Sequence, residues 1–393
     1  GVLMESTVIV SGARTPIGKL AGSLKEWSAP ALGGHAIQSA LERANTSEVD
    51  AVFFGNVVQA GVGAGPARQA SHKAGLPLTI PATTINKLCL SGLTAIALAD
   101  QQIQLGYLTS AVAGGMESMT NAPYLARGAR LGYKYGSATL DDALNFDGLL
   151  CGIEAEIMGA ATERHQRSFN FSRAQVDEFA ERSHFRAHQA SESGQLASEI
   201  APISIKSKGA TISMNRDEGI RAETTAESLS KLRPAFAADG ILTAGNSSQL
   251  SDGAAALVLM KKSEAQKRGL TWMAEIISYG TSAGPDTSLL LQPSAAIKDS
   301  LRRSNLALKD LHLFEINEAF STVALASMND LGISMDQVNI WGGATAIGHP
   351  VGASGARLVL TLAHQLRERG GGYGVASLCG GGGQGDALLI RVD

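Results

Sequence analysis

Four short segments carry side chains able to do nucleophilic and acid–base chemistry. Cys89 lies in "INKLCLSGLTAIALAD" (85–100), between an extended run and a helix-like run rich in small residues. His349 lies in "GGATAIGHPVGASGAR" (342–357), followed by proline and a glycine-rich turn into a helix. Asn317 sits where "LFEINEAFS" (313–321) passes from strand to helix, and Cys379 ends a strand in "SLCGGGGQGD" (377–386). A thiol at a helix start feels the positive end of the macrodipole, which predicts a lowered pKa and a larger thiolate fraction. A histidine among glycines before a helix is expected to be exposed within a cleft. An amide at the C-terminal end of a strand is a common site position in α/β folds. The glycines after Cys379 leave N–H groups free to bind an oxyanion. Each segment also has a plain structural reading. Cys89 can be a small buried hydrophobe, His349 a structural histidine, Asn317 a helix cap, and the glycine run a hairpin turn. Their common placement at strand-to-turn or turn-to-helix junctions favours one pocket with two thiols, an imidazole and several backbone donors.

The elements that must position these residues alternate. Strand-like runs at 6–14, 51–58, 110–115, 254–261, 313–317 and 372–380 are interleaved with helix-like runs at 31–44, 89–105, 172–193, 294–304, 318–330 and 354–369. That order predicts layered α/β architecture. The helix at 172–193 opens with "SRAQ", a capping-box pattern, and stops before Gly194. A weak repeat relates 89–115 to 352–381. Ser91-Gly92 is matched to Ser354-Gly355, and Gly114-Gly115 to Gly380-Gly381, which predicts a duplicated α/β half with two helix heads near a shared pseudo-axis. The stretch 120–244 is more charged, lacks clear strand alternation and reads as an insertion.

Bulk composition narrows the classes. The chain has 393 residues, 44% hydrophobic and 18% charged, enough for a large core and two or three domains. A net charge of −3 argues against a broad nucleic-acid footprint. The cysteines at 89, 151 and 379 form no CxxC pair, so neither a disulfide framework nor structural zinc is expected, and a reducing compartment fits. No run of eighteen apolar residues suggests a membrane span. The opening "GVLMESTVIV" lacks the basic and long apolar regions of a secretory signal, so the expected location is the cytoplasm.

At these motifs the sequence resembles the thiolase family. "NKLCLSG" looks like the family's nucleophile segment, and "NEAF", "GHPVGASGAR" and "CGGGGQG" like its other signature blocks, in order and spacing. "AGGMESM" (113–119), "KLRPAF" (231–236) and "AGNSSQLSDGAAA" (244–256) match as well. The resemblance spans essentially the whole chain and is strongest to the short-chain biosynthetic branch, the acetyl-CoA C-acetyltransferases. It implies a five-layer α-β-α-β-α thiolase fold of two βαβαβαββ halves, 1–119 plus 245–271 and 272–393, with a loop domain at 120–244. It implies a Claisen condensation of two acetyl-CoA to acetoacetyl-CoA, and the reverse thiolysis, through a Cys89 acyl-enzyme. His349 would take the Cys89 proton and Cys379 would act as acid and base. One oxyanion hole would use His349 with a water held by Asn317, the other the N–H groups of Cys89 and Gly381. Arg221 would lie against the adenine of coenzyme A, Ser248 and Ala244 near the pantetheine, Ala319 and Phe320 along the tunnel, and Met158 at the acyl pocket. The segment 121–145 would join dimers into a homotetramer. No cofactor or metal is implied, since the coenzyme A thioesters are substrates.

Three positions depart from the family pattern. Ile157 stands where many acetyl-CoA enzymes carry an imidazole, Trp341 where asparagine is frequent, and "LLLQPS" (289–294) replaces a Met-Gly run. Trp341 is expected to crowd or stack near His349. The missing imidazole and the leucine run motivate an alternative, a 3-ketoacyl-CoA thiolase for longer or branched chains. A decarboxylating ketosynthase usually pairs one cysteine with two histidines, and Cys379 disfavours it. A non-catalytic coenzyme A-binding protein is the remaining class, and the intact set of four site residues speaks against it.

Overall fold

In the computed structural model, which describes residues 4–393, the chain forms two similar halves. The first runs β1 (Thr7–Arg14), α1 (Ala29–Ala44), β2 (Ala51–Gly55), α2 (Pro66–Lys73), β3 (Ala82–Ile85), α3 (Ser91–Gln104) and β4 (Ser110–Ser118). An excursion carrying α4 (Met158–His165) and α5 (Arg173–Glu192) precedes its last strand, β5 (Ser251–Lys261). The second half comprises β6 (Ala274–Ala283), α6 (Gln292–Ser304), β7 (Leu311–Ile316), α7 (Ser321–Leu331), α8 (Ser354–Glu368), β8 (Gly372–Gly380) and β9 (Gln384–Val392).

The strand order is β3-β2-β4-β5-β1 in the first half and β7-β8-β9-β6 in the second. In each half one strand, β5 or β9, runs against its neighbours. The position that β3 fills in the first half is reduced in the second to Val338, bridged in parallel to Phe314. The halves meet edge to edge where Val8 faces Glu275 and Ile9 faces Ala274, which makes one continuous sheet.

Periodic apolar residues set the layers. Leu32, Ile37 and Ala40 of α1 pack on Phe54, Val112 and Met116, covering the outer face of the first half. Ile297 and Leu301 of α6 and Met328 of α7 pack on Phe314 and Leu389, covering the second. Between the two halves of the sheet lie α3 and α8, whose Leu93, Ile96, Leu358 and Leu362 share a cluster with Ala113, Leu378 and Ile390. The five layers α-β-α-β-α follow.

The two central helices approach closely because each begins Ser-Gly. A Cβ on Gly355 would fall 2.3 Å from the Leu93 nitrogen, and one on Gly92 2.9 Å from the Ala356 nitrogen. The repeat therefore holds at the helix heads but not at Gly114-Gly115. Ala111 and Ala113 of β4 and Ala376 and Leu378 of β8 face the central layer, while Met116 and Cys379 face outer helices. This alternation matches Ala113 to Ala376 and Met116 to Cys379, so Gly114-Gly115 corresponds to Ser377-Leu378. Ser172 and Gln175 form the expected capping box of α5. Strand β6 has no counterpart among the runs read from sequence; its second half is only partly buried and its alternation is weak.

Candidate active site

Cys89 is set by a tight turn between β3 and α3. The Asn86 Oδ1 accepts the Leu88 N–H at 3.1 Å. The Ser91 Oγ accepts the Lys87 N–H at 2.9 Å and donates to the Leu88 carbonyl at 2.6 Å. Leu88 is driven to φ 52°, a left-handed conformation that costs a leucine on the order of 1–3 kcal/mol and is tolerated where surroundings enforce it. The helix starts only at Ser91, so Cys89 lies ahead of it, 8% exposed. The expected lowering of its pKa is not found. Burial pushes the Cys89 thiol up to about 12, against the opposing pull of the Cys89 and Gly381 N–H groups aimed at the sulfur.

His349 lies in the loop before α8 and is 6% exposed, not open in a cleft as expected. The glycine beside it serves close packing instead: a Cβ on Gly348 would fall 2.3 Å from the Ser251 Oγ. The His349 Nδ1 is 2.5 Å from the Ser354 Oγ, and that hydroxyl donates to the Pro350 carbonyl at 3.2 Å. Ser354 then accepts the Nδ1–H, which fixes the tautomer and leaves the Nε2 lone pair facing the site. Nε2 is 3.5 Å from the Asn317 Nδ2. Burial and then the Arg357 charge depress the imidazole pKa to about 4, so the ring is neutral at ordinary pH.

Asn317 leaves the end of β7, its N–H donating to the Ser377 carbonyl at 3.0 Å. It caps no helix, because α7 starts at Ser321 after Phe320. Its Oδ1 is buried without a protein partner, an acceptor free for a bound water. The neighbouring Glu318 is structural: it accepts from Ser183 Oγ at 2.6 Å, Asn339 Nδ2 at 2.9 Å and the Thr345 N–H at 3.1 Å.

Cys379 ends β8 opposite Gly385, buried with Met158, Leu289, Leu290, Ala319, Val323 and Cys151. Burial, and next the nearby Cys89, raise its pKa. The hairpin that follows rests on the nucleophile turn: a Cβ on Gly380 would meet Leu90 at 2.7 Å, and one on Gly381 would meet Met158 and Leu88. Cys89 therefore neighbours Cys379 and the Gly381 N–H, and Asn317, leaving β7 beside β8, neighbours His349.

Among the other expected residues, Met158 and Ala319 share the Cys379 cluster. The Ser248 N–H donates to the Ala319 carbonyl at 3.1 Å, and the Phe320 ring meets Phe236 edge-on at 5.9 Å. Ala244 is exposed. Arg221 is held against α5 through its N–H to His184 Nδ1 at 3.0 Å. Ile157 is exposed, whereas Leu289 and Leu290 belong to the buried cluster that holds Cys379. Trp341 is buried with Ala187, Ala190, Leu196, Ile200 and Ile347. That packing accounts for the ring, and the expected stacking on His349 is not what holds it. Among the described residues no group of three or more His, Cys, Asp or Glu is arranged for a metal ion.

Sequence reasoning missed Ser354 as the histidine's partner, although its place in the repeat was visible. It also missed Glu117, which accepts from the Asn56 Nδ2 at 2.7 Å and the Val57 and Val58 N–H groups at 3.0 and 3.2 Å.

The family model for the thiolase N-terminal domain matches residues 7–263, and that for the thiolase C-terminal domain residues 270–392. A relative described as a probable acetyl-CoA acetyltransferase, from Mycobacterium leprae (strain TN), is 53% identical over 99% of this chain and 100% of its own. The acetyl-CoA acetyltransferase of Escherichia coli (strain K12) is 45% identical over 99% of each chain. The crystal structure of the Bacillus anthracis acetyl-CoA acetyltransferase superposes with a TM-score of 0.97 over 100% of both chains, at 38% identity.

Proposed function

The chain belongs to the thiolase family, and from that premise we propose that it is an acetyl-CoA C-acetyltransferase joining two acetyl-CoA into acetoacetyl-CoA and coenzyme A, and running the reverse thiolysis. What supports this reading is two sets of neighbours, Cys89 with Cys379 and the Cys89 and Gly381 N–H groups, and His349 with Asn317. In the first step the Cys89 sulfur attacks the thioester carbonyl while its proton passes to His349 Nε2. The oxyanion is received by the N–H groups of Cys89 and Gly381. The departing coenzyme A thiolate takes a proton from Cys379, which leaves Cys379 as the base for the next step. It removes a methyl proton from the second acetyl-CoA, whose enolate oxygen is met by His349 Nε2–H and a water on Asn317. The carbanion attacks the acyl group, Cys89 departs as thiolate, and His349 returns its proton.

Coenzyme A would run from Arg221, at the adenine, past Ser248 and Ala244 to a tunnel lined by Ala319 and Phe320, with Met158 at the acyl end. The Ser248–Ala319 hydrogen bond supports this, since it ties the two tunnel walls together. A homotetramer, a dimer of dimers, is part of the reading. Edge strand β3, half-buried at one end of the sheet, supports a pairing surface. The exposed Tyr124, Leu131, Tyr133, Tyr135 and Leu140 support a contact between dimers through 121–145. A mechanism needing two reduced thiols supports a cytoplasmic setting.

The place of Leu289 and Leu290 in the buried cluster that holds Cys379 favours one second reading, a thiolase for longer or branched 3-ketoacyl chains. Steady-state thiolysis from four to ten carbons separates the two. Acetoacetyl-CoA is expected to give the highest kcat/KM, and a preference for six carbons or more would overturn the leading version.

A further inference from the structure

The mechanism above does not use a buried ionic cluster that joins its two halves. Asp386 is fully buried at the start of β9, directly after the hairpin that carries Cys379 and Gly381. In the ladders it stands opposite both Leu378, the neighbour of Cys379, and Thr281 of β6. Its carboxylate receives hydrogen bonds from both halves of the molecule. From the first half come the Lys87 Nζ at 2.8 Å and the Thr94 Oγ1 at 2.6 Å. From the second come the Tyr279 hydroxyl at 2.7 Å and the Thr281 Oγ1 at 3.1 Å. The Lys87 Nζ also reaches the Tyr279 oxygen at 3.3 Å. Lys87 lies two residues before Cys89, in the turn strained at Leu88, and Thr94 lies on the first turn of α3 just beyond it.

A carboxylate wholly removed from water is costly unless fully hydrogen-bonded and paired, and removing one partner strands the other. Asp386 therefore holds its donors tightly. Near the sulfurs the halves also meet through apolar contacts of Leu88 and Leu90 with the Gly380-Gly381 backbone, which are non-directional, and through the Gly381 N–H aimed at the Cys89 sulfur. The ion pair is the directional tie between charged side chains. Resting on the acetyltransferase reading above, we propose that Lys87 and Asp386 are positioning residues that set the separation between the Cys89 and Cys379 sulfurs. They act on the carbon–carbon step, where the sulfur separation sets the distance between two reacting carbons, more than on acylation of Cys89, where Cys379 only protonates a departing thiolate.

The test compares two rates in Lys87→Met, Lys87→Arg, Asp386→Asn and Lys87→Met/Asp386→Asn. One is exchange of labelled coenzyme A into acetyl-CoA, which reports acylation. The other is acetoacetyl-CoA thiolysis, which reports carbon–carbon cleavage. A misplacement near 1 Å costs about 10²-fold in a step that depends on orientation. Thiolysis kcat in Lys87→Met and Asp386→Asn is therefore expected to fall about a hundredfold, with exchange changed severalfold at most and KM held. Lys87→Arg, which keeps the charge and donors, should recover at least tenfold of the loss. The double variant should be no slower than the slower single variant. Equal losses in exchange and thiolysis, no loss in either, or no recovery in Lys87→Arg would overturn the proposal. So would a Lys87→Met protein that does not fold, since the pair would then be a requirement of folding. If the unmodified enzyme catalyses neither exchange nor thiolysis with any chain length, the acetyltransferase reading itself fails.

Discussion

The pocket has a counterpart in the other half of the molecule, and the two ends of the pseudo-axis differ in one respect. Aligning the helix heads and the inward-facing residues of the strands pairs Cys89 with Gly352, His349 with Asn86, Cys379 with Met116 and Asn317 with Gly55. At the counterpart end the Gly352 carbonyl settles onto the strands, 1.8 Å from where a Cβ on Gly115 would lie and 2.6 Å from one on Gly55. Glu117 then seals that end, drawing in the Asn56 amide and the Val57, Val58 and Gly352 N–H groups. At the reactive end Asn317 and Leu378 carry side chains where Gly55 and Gly115 have none. The Cys89 turn therefore meets side chains where Gly352 meets bare backbone. One frame closed by backbone is structural; the same frame lined by side chains keeps N–H groups aimed at a sulfur and a buried amide oxygen without a protein partner.

Replacing a reactive residue by its counterpart should abolish the difference. Cys89→Gly removes the nucleophile, and thiolysis is expected to fall at least about 10⁴-fold, read from acetoacetyl-CoA turnover at saturating coenzyme A. Asn317→Ala takes away the water's holder, with an expected loss of about 10²–10³ in kcat and a smaller change in KM. A residual rate within a few-fold of normal would mean that the amide holds no catalytic water. Gly355→Ala attacks the shared frame instead. Its Cβ meets backbone, so the central helices must part, at a cost of about 1–3 kcal/mol in urea unfolding together with lost activity.

The two ends should also differ in their response to pH. His349 is depressed to about 4 in the folded protein, from 6.5 ordinarily. The folded state disfavours its proton, so this contribution to stability is whole above 6.5 and is lost as pH falls towards 4. The acid limb of kcat/KM should accordingly lie nearer 4 than 6.5 in a pH profile. Glu117 has the opposite sign: burial raises it to about 8 from 4.5, overcoming the N–H groups of Val57, Val58 and Gly352. The folded state binds that proton more tightly, so stability is expected to decline as pH rises from 4.5 to 8. Glu117→Gln should flatten that decline in melting curves taken across the range, and an unchanged slope would assign it to another group. The smallest effect is expected from Trp341→Phe, which should lower Tm slightly and leave kcat/KM unchanged, because the indole packs on α5.

Local signals made much of this legible. The strand 372–380 and the boundaries of α5 follow from alternation and a capping box, and the four reactive residues stand out because each interrupts a regular element beside glycines. What stayed hidden depends on distance in the chain or on burial. Neither Glu117 nor Asp386 is marked by its neighbours, since their partners come from remote segments, Lys87 and Asp386 being 299 residues apart. The protonation of Cys89 was misread because a helix start was weighed and the loss of water was not. His349 was expected in the open because glycines suggest access, whereas here they let the backbone close around the ring.

The seam where Val8 meets Glu275 and Ile9 meets Ala274 has a further consequence. The nucleophile lies on one side of the connection that follows β5, and the imidazole, the amide and the second thiol lie on the other. Cutting the chain between 262 and 273 would leave two fragments, each holding part of a reaction centre and neither a whole one. Any thiolysis regained on mixing them would measure how faithfully the two edges find their two-rung register again.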